Sequence, residues 1–157
     1  MRQPFIATRT HPSAMRILLL LISFVLLGNP HAETPPAAYE SAYQNARKTY
    51  HAHQYQDAVR MLEALLRTYP ECARCAHLLG KSYGRLAQRA NWLSAMALAR
   101  KTCDALELAV RLNPDNEGSV EDLLRYYRAA PEFLGGGAHK AKDMERRLQE
   151  LRDKQSG

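Results

Sequence analysis

Cys72 and Cys75 stand in ECARC, and two cysteines at this spacing can exchange disulfides or hold a metal. A helix starting at this point would favour the thiolate through its N-terminal dipole. The βαβ surroundings of a thioredoxin-like site are missing, so a structural disulfide in an oxidising compartment reads ahead of a redox catalyst. Haem attachment needs CxxCH; here Ala76 follows Cys75 and His77 comes one place late. A zinc site would need a fourth ligand and a second cluster, and neither is visible. Cys103 falls well inside a later helical run and reads as a small core residue, deeper than Cys75. His51 and His53 give a weak metal signal, and a solvated turn explains them better.

Gly135, Gly136 and Gly137 precede a helical run and could aim backbone amides at an anion, with His139 and Lys140 beside them. No GxxxxGK[ST] spacing is present, which excludes a P-loop. The stronger reading is a structural turn. Pro131 ends the preceding helix, the glycines free the backbone, and Phe133 and Leu134 tuck under the stack. No Ser-His-Asp arrangement, paired carboxylates or nucleotide loop can be located. The residues therefore point to no enzyme, no cofactor and no metal.

Binding residues are easier to find. Arg85, Arg89, Arg100 and Lys101 form a basic group, which is a solvated helix face by default and a surface for an acidic partner in the sharper reading. Trp92, the only tryptophan, sits with Asn91 at a turn and either packs inward or anchors a partner. Tyr39, Tyr43, Tyr50 and Tyr55 recur early in the chain. The candidate partner contacts are Tyr43, Tyr50, Tyr83, Arg85, Trp92 and Tyr127.

The elements that carry these residues follow from pattern. The chain has 157 residues, 46% hydrophobic and 24% charged, which fits one globular domain and excludes a wholly disordered or disulfide-dense chain. Residues 17–27 read ILLLLISFVLL, with Arg2, Arg9 and Arg16 before them and a small residue, Ala32, before the polar ETPP. This is the composition of a secretory signal peptide, with cleavage expected after Ala32 and Met15 as an alternative start. A helix of that length spans roughly 16 Å against about 30 Å of bilayer core, so no stable membrane span is expected after cleavage. An uncleaved anchor is the alternative. Residues 33–36 read as a linker and 37–154 as the working domain. Removing 1–32 takes away three arginines and no acid, lowering the net charge from +6 to +3. Nucleic-acid binding is not expected from that charge.

From Ala37 to Lys154 there is almost no strand signal. Ala58, Met61, Leu62, Leu65 and Leu66 share a helical stripe, as do Ala76, Leu79, Tyr83 and Leu86. Leu93, Met96, Cys103, Leu106 and Ala109 form another, and Ala141, Met144, Leu148 and Leu151 a last one. Tyr69-Pro70 and Asn113-Pro114 stop two of the runs.

YQDAVRMLEALLRTYP and KTCDALELAVRLNP each end at a proline and each lead into a second helical segment. This resembles the tetratricopeptide repeat, whose unit is about 34 residues. Ala46 and Ala58 fall at small positions of the repeat, and Tyr55 and Leu62 at large ones. Leu79, Gly80, Tyr83, Ala109 and Pro114 match the next unit. Pro70 and Pro114 are 44 residues apart, about ten more than one repeat. The surplus in GRLAQRANWLSAMALARK reads as a longer first helix, a turn near Asn91 and a longer second helix. The expected fold is all-α: a short right-handed α-solenoid of about three helix pairs with an extended second pair.

The stretch GRLAQRANWLSAMALARKTCDALELAVRLNPDN with RYYRAAPEFLGGGAHKA is similar to small exported bacterial repeat proteins. These include the tetratricopeptide component associated with TRAP-type solute transporters. The likeness covers roughly residues 70–142 and is most specific at Ala130–Ala141. It implies a helical repeat, export to the periplasm, no catalysis, and docking to a solute-binding or envelope protein. The expected function is therefore non-catalytic protein binding in the periplasm. The alternative is an accessory or small-ligand component of TRAP-type uptake, with an apolar cavity between the inserted helices.

Overall fold

The computed structural model describes residues 37–156, and the leader and linker read from the sequence lie outside them. The described chain is helical, with no strand among these residues. Helices α1 (Ala37–His51) and α2 (Tyr55–Thr68) form the first pair. Helices α3 (Ala73–Ala87) and α4 (Trp92–Leu112) form the second. Helix α5 (Glu117–Ala129), a 3-10 turn (Glu132–Leu134) and α6 (Ala138–Ser156) complete the third. The result is a short helical solenoid, as the repeat pattern predicts.

Local chemistry sets the ends. The Asn91 side chain accepts from the Ser94 amide at 3.0 Å, and the Asn116 side chain accepts from the Ser119 amide at 2.8 Å. Both are N-caps that satisfy an orphan donor of a first helical turn. Tyr69 and Asn113 close α2 and α4, each directly before proline. Between α1 and α2 the chain turns through His53, a non-glycine residue at φ 61°, whose Nδ1 lies 2.7 Å from the Tyr55 hydroxyl.

Two apolar clusters form the interior. One gathers Ala46, Val59, Leu62, Leu65, Leu79 and Ala105 from the first two pairs. The other gathers Cys103, Leu106, Val120, Leu123, Leu148 and Leu151 from α4 and the third pair. Helix α4 thus serves both clusters, Ala105 facing one and Leu106 the other. The small residues work as the repeat pattern requires. A Cβ added at Gly80 would stand 2.8 Å from Cγ of Leu106 and 3.3 Å from its backbone nitrogen, so only glycine lets α3 and α4 meet there.

Four packing features depart from the sequence reading. The surplus of the second repeat goes into α4, with 21 residues, while α3 has 15, the same as α1. Leu93 lies on the periodic stripe but is 61% exposed, because α4 begins beyond the reach of its neighbours. Phe133 is 64% exposed rather than tucked under the stack; the 3-10 turn directs it outward. Cys103 is a core residue at 4% exposure, but Cys75 at 0% is the deeper of the two.

Candidate functional site

The first helix of each pair turns its apolar stripe inward and carries polar residues on the opposite face at three- and four-residue spacing. Tyr43, Arg47 and Tyr50 come from α1, and Arg74, His77, Lys81 and Arg85 from α3. Asp122, Arg125 and Tyr126 come from α5. They line two open hollows, of about 170 Å³ between α1 and α3 and about 270 Å³ reaching from Tyr50 to α5. Tyr50 and Lys81 line both, so the hollows form one groove. Arg125 and Ala129 carry it on towards α6, where Arg128 pairs with Glu145 at 2.7 Å and Arg152 with Glu121 at 2.7 Å.

Polar contacts fix the groove walls. Arg74 pairs with Glu40 and lies over the Tyr43 ring at 4.3 Å, joining α3 to α1. Asp122 on α5 takes His77 at 2.8 Å, Lys81 at 3.7 Å and Arg125 at 3.1 Å. The His77 hydrogen bond outweighs burial and, with Lys81, holds the Asp122 carboxyl below the usual range. Burial pushes the Tyr43 hydroxyl up, so it stays neutral. Arg85 lies beside the Tyr50 hydroxyl, which favours its charged form. Neither Arg47 nor Arg85 pairs with a carboxylate among the described residues, so both can turn to a ligand.

Three of the six residues chosen from sequence therefore meet in this groove: Tyr43, Tyr50 and Arg85. Tyr83 does not; it is buried and its hydroxyl donates to Glu63. Tyr127 is buried too, donating to Glu107 at 2.6 Å. Both are core residues whose hydroxyls need a partner inside, and burial pushes both hydroxyls well up. Trp92 lies outside the groove at the start of α4 and is 70% exposed. The sequence reading missed Arg47, Arg74, His77, Lys81, Asp122 and Arg125. The available signal was basic residues at Arg74, Lys81 and Arg85, spaced to share the face opposite Leu79 and Tyr83.

The other chemical candidates resolve structurally. A disulfide joins Cys72 and Cys75, with the Cys72 sulfur accepting from the Cys75 amide at 3.1 Å at the start of α3. Both sulfurs are buried beneath Tyr39, whose hydroxyl is 2.8 Å from the Cys72 sulfur. In the glycine turn, Gly135 donates to Glu132, Gly136 to Pro131 and Gly137 to Tyr127. These amides are spent inside the protein, which removes the anion-site reading. Gly135 at φ 91° and Gly137 at φ 126° are left-handed, and a Cβ at Gly136 would strike the Ala130 carbonyl. Cys103 lies 3.5 Å from Glu107, and burial pushes its thiol up to about 12. Among the described residues no His, Cys, Asp and Glu cluster could hold a metal. No described helix is long and apolar enough to cross a membrane.

No protein-family model matches the chain, and no match is found among curated proteins. A solved structure described as "MamA RS-1 ArsTM double mutant" is similar, with a TM-score of 0.60 and 23% identity. The likeness covers 77% of this chain, and the chain spans 60% of the length of that one. With the helix pairs described above, it shows a tetratricopeptide-like helical repeat.

Proposed function

We propose that this chain is a non-catalytic binding module that holds an extended acidic segment of a partner protein in the groove of α1, α3 and α5. One observation carries the reading: Arg47 and Arg85 stand without carboxylate partners on either side of Tyr50, on walls already fixed by the Glu40–Arg74 and His77–Asp122 contacts. Walls fixed by those contacts before a ligand arrives lower the ordering cost of binding. Aromatic and arginine side chains are also the usual anchors of an interface. The groove is open to solvent rather than enclosed, which suits a polypeptide better than a buried small solute.

The composition of residues 1–32 supports export, so the periplasm is the proposed place of work. The likeness of residues 70–142 to transporter-associated repeat proteins supports a solute-binding or envelope protein as the partner, and with it an accessory role in TRAP-type uptake. Crosslinking in native periplasm would identify the captured protein. The groove itself is tested by fluorescence anisotropy of an acidic peptide and a charge-reversed peptide. The acidic peptide should bind and should weaken at least fivefold with Arg47→Ala or Arg85→Ala, matching about 1 kcal/mol per anchor. Equal binding of both peptides, or no loss in either variant, overturns the proposal.

A further inference from the structure

The first turns of α4 have no role in the groove, yet among the described residues they carry two of the three exposed large hydrophobic side chains, Trp92 and Leu93. Residues 92–99 read WLSAMALA, with Ser94 the only polar side chain. Trp92 is 70% exposed and Leu93 61%, and no residue from 91 to 100 is buried. The segment projects past its neighbours on both sides. Arg89 folds back over the Tyr55 ring, where α2 begins. On the other flank the Tyr126 hydroxyl donates to the Ala99 carbonyl, near the end of α5. Leu98 packs against the first apolar cluster, and residues 92–97 join neither cluster.

Charge surrounds this apolar tip with one sign. Between Glu71 and Asp104 the sequence holds no acidic residue, while Arg85, Arg89, Arg100 and Lys101 are all exposed. On the helix, Arg100 follows Met96 by one turn on the face that carries Trp92, and Lys101 follows Ala97. Arg100 stands eight residues beyond Trp92, about 12 Å along the axis at ~1.5 Å per residue. Apolar faces of surface-bound helices sink roughly 5–10 Å into the headgroup and acyl boundary. With Trp92 at that depth, Arg100 and Lys101 reach the phosphates.

We propose that the start of α4 is a membrane-docking tip that inserts Trp92 and Leu93 into an anionic bilayer surface while Arg100 and Lys101 meet its headgroups. Tryptophan favours such an interface, where its ring is apolar and its N–H stays wet. A convex tip can enter a fluid surface without a matching hollow. A second copy of the chain is the poorer occupant, because tip against tip would bring the same cations together with no acid between them. On α4 itself the first acid is Asp104, one turn past Arg100.

Trp92 is the only tryptophan in the chain, so its emission reports the tip alone, whatever the leader does. The full chain is mixed with vesicles of equal phosphatidylglycerol and phosphatidylcholine, and with phosphatidylcholine vesicles. The anionic vesicles should move the emission to shorter wavelength and protect Trp92 from acrylamide, and salt should reverse both. Arg100→Gln with Lys101→Gln should weaken the partition by about fivefold per cation. Leu93→Ser should reduce the emission shift while the circular dichroism stays unchanged. Sedimentation with vesicles while Trp92 keeps its aqueous emission overturns the proposal, since the leader alone would then be bound. An equal shift with neutral vesicles overturns it, as does a shift on concentrating the protein alone, which would mean self-association. A shift with polyglutamate but none with vesicles assigns the tip to an acidic protein instead.

Discussion

His77 on α3 and Asp122 on α5 meet at 2.8 Å across the groove, tying the second helix pair to the third through side chains 45 positions apart. Lys81 adds to the contact at 3.7 Å. Because the hydrogen bond holds the Asp122 carboxyl below its ordinary value of 3.8, the folded state gains stability above that pH. The gain is lost as pH falls through the lowered folded-state pKa. Thermal melts should therefore lose stability below about pH 4, and Asp122→Asn should flatten that part of the curve while lowering the melting temperature at neutral pH. A variant that follows the native acid limb would show that other carboxylates set it.

Gly80 and Gly84 lie one turn apart on α3 and should respond in opposite ways to alanine. At Gly84 the new methyl would meet Thr102 at an ordinary 3.7 Å, so the helix-propensity gain of about 1 kcal/mol is retained. At Gly80 the methyl would collide with Cγ of Leu106, and the backbone nitrogen behind it limits retreat. Gly80→Ala should cost about 1–3 kcal/mol in urea unfolding, and Gly84→Ala should stabilise. The same sign for both would mean that α3 and α4 are not in this close contact.

Tyr83 and Tyr127 should be stability residues, while Tyr50 should be a binding residue. Tyr83→Phe or Tyr127→Phe leaves Glu63 or Glu107 short of a donor and should cost about 1–2 kcal/mol without changing peptide affinity. Tyr50→Ala should do the reverse. Burial also raises the hydroxyls of Tyr83, Tyr127 and Tyr126, the last to about 12, above an ordinary value of 10.0. Raised groups of this kind contribute stability below their unfolded pKa and lose it as pH rises, so melts should weaken from about pH 10 upward.

The Cys72–Cys75 disulfide should be inert as a catalyst. Both residues are buried, and exchange needs a thiolate that can reach the sulfur. An insulin-reduction assay should show no turnover above background, and Cys75→Ser should not change that result. The short loop closed by the disulfide limits its effect on the unfolded chain, so Cys75→Ser should cost only about 2 kcal/mol by chain entropy. Turnover that disappears with Cys75→Ser would restore the redox reading.

The fold was legible because helix period, proline stops and small residues such as Ala46, Ala58 and Gly80 all pointed to paired helices. The site was only half legible. A tyrosine at a periodic position has two fates, and sequence does not show which. Tyr50 faces the groove, while Tyr83 and Tyr127 face carboxylates, Glu63 and Glu107, from the second helix of the preceding pair. The contact between His77 and Asp122 joins helices distant in sequence, so no local spacing announces it. Leu93 kept the core period but lost its neighbours, because α4 extends where nothing packs against it.

Helix α4 stands in both apolar clusters, with Ala105 on one side and Leu106 on the other. In a longer array, neighbouring repeats can fray one at a time from either end. Here the middle rod is common property, and neither end can melt without stripping it. Slow amide exchange should accordingly be shared from α2 through α5, making the molecule behave as one block rather than as links of a chain.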